Sequence, residues 1–431
     1  MPNPSRRVFL GAAPAGVAWA QGAAPRPGPN GRVNLAVVGI RGRGKDHLRN
    51  FARIPHARVD TLCDVDERLW PEAAALAEQT TGQRPRFQGD LRRVLDDKSI
   101  DAVSLAVPNH WHALACVWAC QAGKDVYLEK PGSHNVWEGR KTVEAANKYN
   151  RIVQIGTQYR SRPGIRAAMD FLHAGKLGKL YMVRAVVFRP RERLERLPET
   201  PAPNGVAYDL WRGPAPWRPF NPGRFHYNWH WFWDTGNGET GNNGPHAMDL
   251  ARWALQKYEH PVRIQSMGGL DGWDSFQETP NSQISVLEYA GGERVQLEVR
   301  NLYTNAEDGI GEGLFFYGSE GWMRTNYASW ATFFGRKNEP GPAGAPEPRP
   351  MPEPHFENFL EAVRTRNRDL LHARIEEGHF TSAMCHLANI AYRTRRTLVF
   401  QSDREEFPGD AEANSYLRRS YRYPFVMPDP V

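Results

Sequence analysis

The chain has 431 residues, enough for two domains at about 100–200 residues each, and 40% of them are hydrophobic, enough to build real cores. Its formal net charge of +7 is a modest positive field suited to steering acidic ligands. No dense Lys/Arg tract, nucleic-acid motif or internal repeat accompanies it, which argues against nucleic-acid binding and repeat architectures.

Residues 1–20 read as an export signal. Ser5-Arg6-Arg7-Val8-Phe9-Leu10 is a twin-arginine pattern, Leu10 to Ala20 is mildly apolar, and Ala18-Trp19-Ala20 closes the segment as an A-x-A cleavage site. The alternative is a tail that happens to hold two arginines; position, order and cleavage site together favour the signal. Residues 21–32 are then a linker. The mature chain begins near Gln21 with a charge of +5, the +7 less Arg6 and Arg7. No later stretch reaches the ~18 apolar residues of a membrane span. The expectation is a soluble protein, periplasmic or otherwise exported, whose partner is the twin-arginine machinery. That route carries folded proteins, often with cofactor loaded. Cys63, Cys116, Cys120 and Cys385 read as buried hydrophobes without a disulfide framework, since Cys116 and Cys120 lie one helical turn apart and the others are isolated.

Residues 33–156 read as a nucleotide-binding domain. Residues 33–40 form a continuous apolar run, as expected of a parallel strand covered on both faces. A glycine turn, Gly39 to Gly44, follows, then a helix that Pro55 stops, then a strand Ala57 to Cys63 that ends at Asp64. Glycines let the backbone approach a diphosphate, and the helix N-terminus presents N–H groups to it. The fingerprint is imperfect, because Arg41 stands where a glycine is usual and the glycines are Gly39, Gly42 and Gly44. Asp64 is placed to accept bonds from ribose hydroxyls and to repel a 2′-phosphate, favouring NAD over NADP, with Arg68 moderating that preference. Strands Ala102 to Val107, Asp125 to Leu128 and Ile152 to Gly156 alternate with helices His112 to Gln121 and Val136 to Tyr149. This is the pattern of a doubly wound parallel sheet, whose ligands lie beyond the carboxyl ends of strands. Asn109, His112, Glu129, Lys130 and Gln158 all sit at or near such ends.

Residues 157–431 read as an α+β substrate and oligomerisation domain. A helix Pro163 to His173 leads to strand Leu180 to Phe188. Further strands are expected at Val262 to Met267, Gln283 to Tyr289, Arg294 to Arg300, Gly313 to Tyr317 and Trp322 to Asn326, as an antiparallel meander. Arg336 to Pro354 is Pro/Gly-rich and reads as a surface loop. Helices His355 to Thr365 and Gly378 to Arg393 close the domain.

These features resemble the glucose-fructose oxidoreductase/inositol dehydrogenase/MocA family. The resemblance rests on the glycine turn, Asp64, Asn109 with His112, Glu129-Lys130-Pro131, and His246 followed by Met248-Asp249-Leu250-Ala251-Arg252-Trp253. It implies an open, mainly antiparallel second sheet that in relatives often packs against another subunit, hence a homo-oligomer, dimer or tetramer. It also implies that Lys130 and His246 are the catalytic pair. Many relatives carry aspartate four residues before that histidine; here Asn242 can orient a sugar hydroxyl but cannot share a proton.

Oxidising a carbinol requires a base on the hydroxyl, and His246 suits that role, unless it merely caps the helix Ala247 to Leu255. Lys130 would bond the reacting oxygen and lower its pKa by charge; the bland reading is a surface lysine at a strand end. Glu129 would support the lysine and cofactor. Tyr159, Arg160 and Trp233 are candidate substrate contacts. The aromatic run Trp211 to Asp234 is either a lid over the site or a loop packed on the sheet. A metal site at His226 and His230 is disfavoured, because no further ligand cluster accompanies them. His379 could reach the cleft or be an ordinary helix-face histidine.

The leading functional reading is an exported, NAD-dependent oxidoreductase acting on a secondary alcohol of a sugar or polyol. Outside the cytoplasm there is no free cofactor pool, so the cofactor should stay bound and be recycled. An alternative is net glycoside hydrolysis through transient oxidation at C3 and elimination. A third is a sugar-binding module with a relic nucleotide site, which retention of both Lys130 and His246 opposes.

Overall fold

The computed structural model describes residues 31–303, 306–346 and 348–431. The export signal at 1–20 and most of the linker lie outside the described residues.

The first domain is a parallel sheet wrapped by helices. In chain order it comprises β1 (Val33–Val38), α1 (Arg43–Phe51), β2 (Ala57–Cys63), α2 (Trp70–Thr81), β3 (Arg86–Gln88), α3 (Leu91–Asp96), β4 (Ala102–Leu105), α4 (Asn109–Gln121), β5 (Asp125–Leu128), α5 (Val136–Lys148) and β6 (Val153–Ile155). The strand order is β3-β2-β1-β4-β5-β6, all parallel, so the order reverses between β1 and β4. That reversal opens a crevice at the strand ends, where dinucleotides bind in doubly wound folds. β4 and β5 are buried along their whole length, and apart from the buried Ser104 and Asp125 their residues are apolar or aromatic. Between Asp64 and Ala102 the structure adds α2, β3 and α3, which the residue pattern does not announce.

The second domain comprises α6 (Pro163–His173), β7 (Leu180–Phe188), α7 (Tyr208–Arg212), α8 (Gly238–Asn242), α9 (Gly244–Ala254), β8 (Arg263–Gly269), β9 (Ser282–Glu288), β10 (Arg294–Arg300), β11 (Glu312–Gly318), β12 (Gly321–Thr325), β13 (Trp330–Phe334), β14 (Glu339–Gly344), α10 (Pro354–Thr365), α11 (Ile375–Thr394) and β15 (Leu398–Val399). Nine strands form one sheet in the order β14-β13-β12-β11-β7-β10-β9-β8-β15. Only β7 and β10 run parallel; every other pairing is antiparallel. Leu172 of α6, Leu250 of α9 and Leu387 of α11 share one core with Val183, Leu297 and Phe316 of the sheet. The opposite face alternates outward, so Met267 and Ile284, cross-strand partners, are 73% and 43% exposed.

Two features depart from the sequence pattern. Within the expected loop Arg336 to Pro354 the chain forms β14, paired to β13. Pro340 and Pro342 suggest a turn, yet an edge strand needs amide donors on one side only and tolerates them. The C-terminal half also returns to the first domain: Phe356 and Phe359 of α10 pack with Phe51 and Tyr127, and Phe425 and Met427 join the core around α4. All four cysteines are free and buried, as their isolation in sequence suggested.

Candidate active site

The glycine turn is shaped by close approach. A Cβ at Gly39, which has φ +83°, would lie 2.5 Å from the Ala106 carbonyl oxygen, and one at Gly44 would lie 1.7 Å from that of Gly39. Gly42 differs. It is the N-cap of α1, no side chain caps it, and a Cβ there would meet nothing within 4 Å. Open space therefore stands over an uncapped helix N-terminus, with Arg41 beside it, which suits a diphosphate. Asp64 ends β2 at the same opening. Its Oδ2 accepts from Ile40 N (2.9 Å) and its Oδ1 from Asp66 N (3.0 Å), leaving further lone pairs for ribose hydroxyls. Burial pushes its carboxyl up to about 6. Arg68, expected to temper the preference for NAD, is instead forked onto Asp66 at 2.7 Å through both Nε and Nη2.

A single cavity of about 490 Å³ runs from Asp64 and this turn to Lys130, Asn242 and His246. Asn109, His112, Glu129 and Gln158 also line it. The Lys130 ammonium donates to the main-chain carbonyl of Asn242 at 2.7 Å. Burial lowers its pKa, opposed by the charges of Glu129 and Glu239. His246 lies inside the first turn of α9 rather than at its cap, so the capping alternative falls. Burial, then the Lys130 charge, holds its imidazole well below the usual histidine range, and its Nδ1 is buried without a protein partner. Gln158 Oε1 is likewise buried and unpartnered, an acceptor available to a ligand.

Glu129, at the edge of the lining, is held from behind. Its Oε1 accepts from Arg43 Nε (2.8 Å) and lies 2.9 Å from His47 Nε2, and Gly156 leaves it room, since a Cβ there would come within 2.9 Å. Burial would raise its carboxyl, but Arg43, His47 and Lys130 hold it well below the carboxylate range. It therefore acts as a fixed negative charge under the lysine. Asn109 donates to Asn237 at 2.9 Å, and the His112 ring sits between the carbonyls of Pro131 (2.5 Å from Nδ1) and Val107 (2.7 Å from Nε2), able when neutral to donate to one of them.

Three expected substrate contacts are not on the cavity lining. Arg160 is buried and paired with Asp249 (2.7 Å) and Glu377 (3.0 Å). Trp233 stacks under Arg393, 5.0 Å from the ring centroid, away from the cavity. Tyr159 lies flat on Tyr327 at 4.4 Å and meets the His246 ring edge-on at 4.9 Å, so it supports the histidine rather than lining the cavity. Each is polar or aromatic and close in sequence to the site, and local pattern does not distinguish a side chain facing a cleft from one facing a neighbour.

The aromatic run proves to be a wall of the cavity. Trp211, Phe225, His226, Tyr227, Trp229 and His230 line it. The segment from 189 to 237 folds back over the first domain. Ala207 N bonds Val65 O, Glu67 N bonds Gly205 O, both at 2.8 Å, and His226 Nε2 lies 3.0 Å from the Asp66 carboxylate. Arg189, also on the lining, carried no signal in sequence.

His379 does not face the cavity. Its Nε2 lies 2.6 Å from Glu405 Oε1, and His260 Nε2 lies 2.8 Å from the same atom. The spacing of His260, His379 and Glu405 is that of metal ligands, but Arg140 also binds Glu405 and already supplies the cation. His226 and His230 belong to no such group among the described residues.

Residues 33–157 match the family model described as the NAD-binding Rossmann fold of the oxidoreductase family, and residues 191–427 match that of its C-terminal alpha/beta domain. The chain belongs to the glucose-fructose oxidoreductase/inositol dehydrogenase/MocA family of oxidoreductases. Levoglucosan dehydrogenase of Pseudarthrobacter phenanthrenivorans is 24% identical over 323 residues, covering 68% of this chain and 74% of its own. Inositol 2-dehydrogenase 2 of Saccharopolyspora erythraea is 33% identical over 159 residues, covering 36% of this chain and 44% of its own. Among solved structures, the aldose-aldose oxidoreductase from Caulobacter crescentus complexed with glycerol matches with a TM-score of 0.65 at 18% identity, covering 86% of this chain and 100% of its own. The WlbA dehydrogenase from Bordetella pertussis, in complex with NADH and UDP-GlcNAcA, matches at 0.64 and 20%, covering 86% and 99%. At these identities the structural likeness is one of fold.

Proposed function

We propose that this protein is an exported oxidoreductase that acts on a secondary alcohol of a sugar or polyol and keeps its NAD bound between turnovers. The observation that carries the reading is the continuity of one cavity from Asp64 and the glycine turn to Lys130, Asn242 and His246. NAD bound along it would accept the hydride of a carbinol C–H. His246, kept neutral by burial, is the base that takes the hydroxyl proton. Lys130, fixed on the Asn242 carbonyl, donates to the substrate oxygen and stabilises negative charge developing there. Asn242 orients the hydroxyl, and the aromatic wall offers apolar faces to sugar C–H surfaces. The levoglucosan and inositol dehydrogenases among the relatives support a carbohydrate substrate.

Retention of the cofactor is supported by the folded-back segment, which bonds the loop after β2 beside Asp64. Export rests on the twin-arginine pattern at Ser5 to Leu10. The outward face of the nine-stranded sheet, with Met267 and Ile284, is the surface for a homo-oligomer.

The test is the absorbance of purified, denatured protein for nicotinamide, followed by a sugar and polyol panel read at the reduced-nicotinamide band. Copurified cofactor that a panel member reduces is the expected result. Protein that carries no cofactor and binds none removes the retained-cofactor reading.

A further inference from the structure

Position 242 brings no charge of its own to the cavity, but a carboxylate lies directly behind it. Glu239 is one turn earlier on α8 and only 1% exposed. Arg191 grips it with two bonds, Nε to Oε2 at 2.8 Å and Nη2 to Oε1 at 3.1 Å. Asn301 Nδ2 reaches Oε2 at 3.4 Å, and Asn243 Nδ2 bonds Oε1. The Nδ2 of Asn242 donates to that same Oε1 at 3.3 Å.

An ionised carboxylate only accepts hydrogen bonds. The amide NH2 of Asn242 must therefore be the edge turned to Glu239, and the Oδ1 edge is the one left for a ligand. Asn242 lines the cavity, and its main-chain carbonyl anchors Lys130. One residue thus sets both an acceptor and the ammonium. We propose that Glu239 is the acidic positioning residue of this site. From behind Asn242 it fixes the carboxamide with its acceptor edge toward the substrate hydroxyl. It also supplies the negative charge that an aspartate at 242 would bring. This rests on the sugar oxidoreductase reading above. It explains why 242 is uncharged, since a second carboxylate across the 3.3 Å contact would face Glu239 with like charge. It also fits the charge of Glu239 opposing the burial that lowers the Lys130 pKa.

The test is a charge-swap cycle in the full chain: Glu239→Gln, Asn242→Asp and the double variant. The first readout needs no substrate. Asn242→Asp should lower the thermal midpoint by at least ~2 °C at neutral pH, because it sets a second carboxylate against Glu239. The double variant, which moves the charge rather than adding one, should recover most of that loss and also most of any loss from leaving Arg191 unpaired. Single effects that simply add overturn the proposal whatever the turnover. The second readout is reduction of bound nicotinamide by levoglucosan, myo-inositol and glucose. Glu239→Gln should lower kcat/KM about 10- to 100-fold with cofactor content unchanged, and the double variant should regain part of it. Wild-type protein that holds cofactor but reduces no sugar counts against the oxidoreductase reading, and the thermal cycle still decides Glu239. Wild-type turnover that Glu239→Gln leaves untouched overturns the role of Glu239 and leaves the oxidoreductase reading standing.

Discussion

The Lys130 ammonium rests 2.7 Å from the main-chain oxygen of Asn242, across 112 positions of sequence. A strand end of the first domain and a one-turn helix of the second thus meet on the cavity wall. Neither domain holds the site alone. The lysine is placed by backbone, so a side-chain change at 242 leaves it anchored.

Removing either half of the proposed catalytic pair should lower turnover and leave cofactor binding intact. Lys130→Met is expected to lower kcat/KM by about 10²–10³-fold, the scale of one preorganised donor to a developing oxyanion. His246→Ala should lower it about 10²–10⁴-fold, the scale of a general base. Cofactor content should stay at the wild-type level in both. Steady-state rates on the reactive sugar, with bound nicotinamide measured in parallel, check this; unchanged rates in both variants remove the assignment.

Two buried titrating groups on the cavity lining, His246 and Asp64, pull stability in opposite directions with pH. His246 is held below its ordinary value, so the folded state binds its proton less readily than the unfolded chain. Its contribution is fully present above about pH 6.5 and is lost as pH falls below that. Asp64 is raised to about 6, so the folded apo form gains stability as pH falls through 6. Ribose hydroxyls need the ionised carboxylate as acceptor. NAD affinity of stripped protein should thus fall by up to about tenfold per pH unit below 6. Asp64→Asn should flatten that dependence and weaken binding throughout. Calorimetric titration across the range is the measurement, and an unchanged slope in Asp64→Asn counts against the assignment.

The contact between His226 and Asp66 should govern how long cofactor stays. Loss of one such bond is worth about 1 kcal/mol, so His226→Ala should speed NAD release roughly fivefold, with Asp64 left intact. Release can be followed through the fluorescence of the tryptophans that wall the cavity. Identical release rates would show that the folded-back segment does not restrain the cofactor.

If the outward face of the nine-stranded sheet joins subunits, Met267→Lys with Ile284→Lys should split the assembly. Two buried charges without partners are costly at an apolar contact. Sedimentation would then report a smaller species that still holds its cofactor. A wild-type monomer, or an unchanged oligomer in the double variant, sets this aside.

Local sequence was enough for the parts of this molecule that repeat a short-range rule. The apolar run of β1, the bend at Gly39 and the acid at Asp64 follow from strand burial, backbone clearance and chain direction. The strands β2, β5, β7 and β10 begin and end where their residue patterns put them. That ligands lie beyond the strand ends follows from the same rules, while the reversal between β1 and β4 is fixed by the sheet order. Only tertiary structure decided which polar side chains face the crevice there. In sequence His246 is the expected base and Arg160 a candidate substrate contact, yet Asp249, 89 positions from Arg160, claims the arginine while His246 stays on the cavity wall. The same holds for Glu239, which no spacing rule singles out and which gains its place only when Arg191 and Asn301 arrive from other segments. Burial of charge depends on partners distant along the chain, and pairing at that range is written in the fold rather than in any window of residues.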